Sequence, residues 1–416
     1  MQTAKLDERL YRTEASNGVT VLSELLPGVR SVAVGIWVTT ASAHEQRSNM
    51  GVSHLLEHMV FKGTRRRSAK DIALELEVRG GSLDAYTSRD HTSYQARVLD
   101  EDLPRALDVL TDMVRNPTLR PSDLDLERQV VLEEINSVSD TPDDLVFELH
   151  SETLWPDHPY GFSILGTRES VAALESQDLQ ALHSRTYHPR HVVIAAAGNV
   201  KHEFLLKLLT KCGWFSFDAG PEPQKVAAVP PAQRTERRVE RDTAQAHLVL
   251  GTDTFSFNDE RRYPLILLTT VLGSGMSSTL FQRIREELGL AYSVFTFQSF
   301  YRETGVTGVY VGTDPRRTRQ AMDAIKQELA KLAVHGLAPE RLGEAKQQLK
   351  GQVTLSLESP SARMYRLASG AIFDDKYRTI DEILAEIDGV SLEQVAQVAR
   401  EFLDPDRQTV VWLGPN

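Results

Sequence analysis

His54, Glu57 and His58 fall within five residues, His54-Leu55-Leu56-Glu57-His58. In a helix, four residues advance the chain by slightly more than one turn, so the two histidines lie about 40° apart on one face. Two imidazoles so placed can grip one divalent ion. Glu57 stands at the edge of that face, near enough to take a proton from a water at the ion without being a ligand. The chemistry served by this order of residues is metal-assisted hydrolysis. The neighbours Leu55, Leu56, Met59, Val60 and Phe61 predict a buried stripe, and Lys62-Gly63 predicts the helix end.

A catalytic zinc usually takes three protein ligands and leaves a fourth position open, so a further ligand must come from another element. The stretch after Pro121-Ser122 predicts a helix, with Ser122 able to cap it and Asp125 three residues on. Glu127 and Glu134 are seven residues apart and share a face with Val131 and Val138. Carboxylates on an apolar face are costly unless they meet a cation or a hydrogen-bond donor. A metal or a histidine would satisfy either one. Glu133 lies about 100° away and reads as solvated.

The elements that must position these residues repeat. A chain of 416 residues predicts two to three domains. Asp218–Gln233 holds Pro221, Pro223, Pro230 and Pro231 without periodicity, which divides the chain into a domain over 1–217, a linker over 218–240 and a domain over 241–416. Each half runs in a similar order. Strand-like alternation over Val32–Thr40 is answered by Ala246–Thr252. The glycine-opened helix Gly51–Phe61 is answered by Gly275–Glu287, and the strand Leu83–Thr87 by Leu290–Ser293. The expected fold is α+β: two homologous α/β-sandwich domains, each a mostly antiparallel sheet with helices on one side. On that alignment Ser278, Phe281 and Gln282 answer His54, Glu57 and His58, so only the first half can hold a metal.

Composition narrows the alternatives. Lys plus Arg number 47 against 58 Asp plus Glu, a net charge of −11, which gives nucleic-acid binding little support. The longest apolar runs fall far short of the ~18 residues of a spanning helix, so no membrane partner is expected. Cys212 is the single cysteine and cannot close an intrachain disulfide. Met1–Leu26 lacks the basic and apolar regions of a signal peptide, and the expected location is cytoplasmic. His158, His183, His188 and His191 read as loop and packing residues. No GxSxG elbow, Walker loop, GxGxxG fingerprint or cysteine pair occurs.

Taken together, HxxEH, the glutamate 76 residues beyond its second histidine, Gly80-Gly81 through Thr87, Tyr187-His188-Pro189, Ala195-Ala196 with Gly198-Asn199, and Gly289-Leu290-Ala291-Tyr292-Ser293 resemble blocks of one family, in its order. That family comprises the pitrilysin, insulin-degrading and mitochondrial processing peptidases, and the chain looks most like their bacterial processing-peptidase-like branch. The resemblance implies one Zn2+ per chain held by His54, His58 and Glu134, with Glu57 as general base and Glu127 orienting a ligand histidine. It further implies substrate contacts from Asp84, Ala85, Arg285 and Tyr292. Asp84 replaces the Asn usual in the family, so it can accept but not donate a hydrogen bond. Read locally, Arg285 can equally pair with nearby glutamates and Tyr292 pack on a strand. The implied activity is zinc endopeptidase action on short or unfolded polypeptides. Because the chain is about half the length of the family's single-chain members, a homodimer with composite sites is expected, or a heterodimer with a related chain. The alternative is a non-catalytic partner or core-type subunit of a peptidase or respiratory complex.

Overall fold

Val32, Val34, Ile36 and Val38 alternate with Ala33, Gly35 and Trp37 along one strand, and both sets are buried. A strand apolar on both sides needs a cover on each face of its sheet. The computed structural model describes residues 1–415 and supplies two such sheets. The first has seven strands, β1 (Gln2–Asp7), β2 (Leu10–Glu14), β3 (Thr20–Leu25), β4 (Ser31–Val38), β5 (Ser82–Thr87), β6 (Thr92–Leu99) and β7 (Val192–Gly198). Their spatial order is β1-β2-β3-β7-β4-β6-β5, and only β3 and β7 run parallel. The second has β8 (Glu236–Glu240), β9 (Ala246–Thr254), β10 (Ala291–Phe300), β11 (Gly305–Thr313) and β12 (Thr409–Gly414), in the order β10-β11-β9-β12-β8 with β8 and β12 parallel. Read outward from the matching edges β5 and β10, the second sheet repeats the first strand for strand until β1 and β2, which it lacks.

The first sheet's main helical layer is α1 (Val52–Val60), α2 (Ala69–Glu77), α3 (Leu103–Arg115), α4 (Pro121–Asp140), α6 (Arg168–Ala173), α7 (Ser176–Thr186) and α8 (His202–Lys211). It shares one core with Val32, Val34, Ile36 and Val38. The intervening helix, α5 (Pro142–Leu154), belongs to the second unit. There α9 (Arg262–Gly273), α10 (Thr318–His335), α11 (Pro339–Ser356), α13 (Ile380–Gly389) and α14 (Leu392–Phe402) share a core with Leu248 and Leu250 of β9. The remaining helix, α12 (Pro360–Ile372), returns to the first unit.

The α+β architecture with mainly antiparallel sheets is as expected, with one addition. Each sheet's second face carries a single helix donated by the other half of the chain. Helix α12 lies on β3, β4 and β7, with Tyr365 edge-on to Trp37 at 6.1 Å between ring centroids. Val146 of α5 packs with Val249, Tyr310, Val411 and Leu413, the residues of β9, β11 and β12 that alternate away from the main layer.

The compact units are therefore discontinuous: residues 1–135, 163–226 and 356–377 form one, and 136–162, 227–355 and 378–416 the other. A division at the linker, with 1–217 and 241–416 as domains, misses this exchange because helix amphipathicity does not say which sheet a helix covers. The linker is also shorter than 218–240, since Glu236–Glu240 forms β8. Helix α4 begins at Pro121, whose fixed φ suits a first helical position, so Ser122 lies within the first turn rather than capping it.

The second-half alignment changes as well. Sheet order makes β9 the counterpart of β4, and the first helix after β9 is α9, not the segment from Gly275. Helix in that segment starts only at Thr279, and Phe281–Glu287 is π-helical. It follows that Ser278, Phe281 and Gln282 do not answer the first half's histidines. Helix α9, Arg-Tyr-Pro-Leu-Ile-Leu-Leu-Thr-Thr-Val-Leu-Gly, does so, and it contains no His, Cys, Asp or Glu.

Candidate active site

Helix α1 buries Leu55, Leu56, Met59 and Val60 in the first core, and this holds its polar positions 54, 57 and 58 along one boundary of that core. Its N-terminus is unusual. Gly51 occupies the cap position at φ +88°, and a Cβ there would stand 2.5 Å from the Leu165 carbonyl oxygen. Glycine offers no capping side chain, and Glu45 fills that role: its two carboxylate oxygens accept the Gly51 and Ser53 N–H groups at 2.9 and 2.8 Å. Burial pushes the Glu45 carboxyl up to about 7, against the opposing pull of those hydrogen bonds and of Arg89.

Helix α4 brings its two glutamates to the histidines. Glu134 places one oxygen 3.6 Å from His54 Nε2 and the other 3.6 Å from His58 Nε2. One turn pair earlier, Glu127 Oε2 lies 3.2 Å from His58 Nδ1, and its other oxygen is 2.6 Å from Lys62 Nζ. The imidazole rings stand 4.6 Å apart between centroids at 61°. One donor atom from each of His54, His58 and Glu134 lies within 4.8 Å of the others, the one such group among the described residues.

This donor set fits zinc. Two imidazole nitrogens and one carboxylate oxygen is a catalytic zinc set that leaves room for water. Burial, with His58 adding to it, pushes the His54 imidazole down to about 3, so at neutral pH it is neutral with a lone pair to offer. His58 has its Nδ1 committed to Glu127, which leaves Nε2 toward Glu134.

Glu57 is buried beside this group, and burial raises its carboxyl above the usual range. A hydrogen bond from Thr87 and the nearness of His58 oppose that rise, while Glu134 and Asp84 add to it. Thr87 Oγ1 donates to Glu57 Oε2 at 3.0 Å. Thr87 ends β5, the edge strand that also carries Asp84 and Ala85. Asp84 Oδ1 accepts the Ala85 N–H at 2.9 Å, and its other oxygen lies 3.5 Å from Gln95 Nε2.

Arg285 and Tyr292 belong to the second unit and meet there. The guanidinium carbon of Arg285 stands 4.6 Å from the Tyr292 ring centroid and 4.6 Å from that of Phe281, with Nε 3.6 Å from Glu286. Tyr292 is 77% exposed on the edge strand β10. The local reading of Arg285 thus holds in part, since it approaches a glutamate, whereas Tyr292 is largely exposed and meets the Arg285 guanidinium.

Three residues at or behind the first-unit site escaped sequence reasoning: Glu45, Lys62 and Thr87. The one available signal for Glu45 was the lack of Ser, Thr, Asp or Asn at the α1 cap. Lys62 and Thr87 act across elements, and spacing carries no trace of that.

Comparisons with known proteins agree along the whole chain. Residues 20–168 match the family model described as Insulinase (Peptidase family M16), and residues 173–349 the one described as Peptidase M16 inactive domain. An uncharacterized zinc protease of Bacillus subtilis is 40% identical over 399 residues, covering 95% of this chain and 96% of that protein. One from Streptomyces coelicolor is 38% identical over 414 residues, covering 97% and 89%. Among solved structures, a peptidase M16 inactive domain from Pseudomonas fluorescens gives a TM-score of 0.92 at 19% identity, covering 98% of each chain. A protease from Helicobacter pylori gives 0.90 at 22%, covering 98% of this chain and 100% of that one. At those identities the likeness is one of fold.

Proposed function

The chain belongs to peptidase family M16, and from that premise we propose that it is a zinc-dependent endopeptidase of short or unfolded polypeptides. The observation that carries this reading is the convergence of His54, His58 and Glu134 within 4.8 Å, with Glu57 beside them. Zinc bound by those three residues would supply Lewis acidity, polarising the scissile carbonyl and making a water more acidic. Glu57 accepts the attacking water's proton as the new C–O bond forms, then returns it to the amide nitrogen as the C–N bond breaks. Glu127, held by Lys62, keeps the His58 ring oriented with Nε2 toward the metal position. The unpaired edge of β5, with Asp84 and Ala85, suits an extended peptide that adds as a further strand. Backbone pairing of that kind tolerates varied sequences.

Partner and location are part of the same proposal. Two copies pair, and the Arg285–Tyr292 pair of one holds substrate and steadies the oxyanion at the zinc site of the other. No helix among the described residues is long and apolar enough to cross a membrane. Cys212 is free, which suits a reducing compartment, and we assign the cytoplasm.

Elemental analysis of the purified protein together with a peptide assay tests the reading. Close to one zinc per chain is expected, with activity lost to a chelator and restored by added zinc. Two tightly bound zincs per chain would overturn the single-site assignment. A zinc-loaded protein that cleaves no unstructured peptide would point instead to a non-catalytic partner chain.

A further inference from the structure

We propose that Thr87 is the positioning residue for Glu57, holding one carboxylate oxygen so that the other faces the attacking water; this rests on the endopeptidase reading above. Strand alternation puts Thr87 on the same face of β5 as Leu83 and Ala85, which pack against the core that α1 also lines. The hydroxyl has a single proton to donate, and it goes to Glu57 Oε2 at 3.0 Å. Among the described residues this is the one hydrogen bond the Glu57 carboxylate makes.

A glutamate's last torsion is broad, so packing alone does not choose the orientation of the carboxylate plane. The Thr87 bond makes the choice. Proton transfer is sensitive to placement, and a displacement of about 1 Å can cost roughly a hundredfold in rate. The clamp also sits on the strand whose free edge would receive an extended peptide, so substrate pairing and alignment of the base share one piece of backbone.

The test compares Thr87→Val, Thr87→Ser and the parent, all as zinc-loaded full-length chains, with an internally quenched unstructured peptide as the probe. Thr87→Val is expected to lower kcat about 10- to 100-fold, the usual effect of removing a partner one step behind a catalytic group, with KM and zinc content unchanged. Thr87→Ser, which keeps the hydroxyl, should stay close to the parent. A merely structural role for the threonine would not separate those two variants. Crystal structures supply a readout independent of turnover: Glu57 should hold one conformer in the parent and in Thr87→Ser, and leave it in Thr87→Val. Unchanged kcat in Thr87→Val, or an equal loss in Thr87→Ser, would overturn the proposal. If Thr87→Val loses its cooperative melt, Thr87→Ala takes its place against Thr87→Ser. If the parent cleaves no peptide the functional reading fails, while the conformer comparison still decides the role of Thr87.

Discussion

His58 Nδ1 stands 3.2 Å from a carboxylate oxygen of Glu127, and that contact decides how the ring can bind a metal. With Nδ1 as donor to Glu127, the Nε2 lone pair is the one directed to Glu134 and His54. Lys62 Nζ holds the second Glu127 oxygen at 2.6 Å, which fixes that carboxylate against the ring. Glu127→Ala should therefore weaken zinc binding or turnover about 10- to 100-fold, with Glu127→Gln falling between it and the parent. Competition against a chelator of known affinity measures the first effect. Parent-like affinity and turnover in Glu127→Ala would remove the residue from the site.

Glu57 and Glu134 should fail in different ways. Glu57→Gln keeps zinc, because no ligand changes, and loses turnover by about 10²- to 10⁴-fold, because an amide cannot take the proton. Glu134→Gln replaces an anionic ligand with a neutral one and should shed zinc during gel filtration. Elemental analysis beside the peptide assay separates the two. A Glu57→Gln chain of parental activity would end the general-base assignment.

The Glu45 cap makes a statement about pH. Its folded carboxyl is raised to about 7 by burial, above the ordinary 4.5. A raised acid adds stability that is fully present below its ordinary value and is lost as pH climbs through about 7. The difference corresponds to roughly 3 kcal/mol as an order of magnitude. Glu45→Gln cannot titrate, so the stability of the parent relative to the variant should be highest near pH 5 and fall toward pH 8. Urea melts of both zinc-loaded proteins across that range check the sign. A parent that gains stability over the variant as pH rises would contradict it.

The composite-site arrangement predicts complementation. A Glu57→Gln chain and an Arg285→Ala chain, each inactive alone, should regain activity when mixed under conditions that exchange subunits, because one site per heterodimer then carries both intact parts. Verified exchange without recovered activity, or full activity in a monomer, would place Arg285 and Tyr292 outside the mechanism proposed for the dimer.

What the sequence determined by itself follows from periodicity. The spacing of His54, Glu57 and His58 is a property of 3.6 residues per turn, and the seven-residue interval from Glu127 to Glu134 places both on one helix face wherever that helix packs. The repeated order of strands likewise announced two similar sheets. Local periodicity could not say which glutamate meets which ring nitrogen, since that depends on the offset between α1 and α4. It also could not show that α5 and α12 each cover the sheet of the other half, because an amphipathic helix suits any apolar face. Glu45 on the amides of α1 and Thr87 on Glu57 belong to the same class. Each joins a polar side chain to a group on another element, a choice made only when the core brings the two within hydrogen-bond reach.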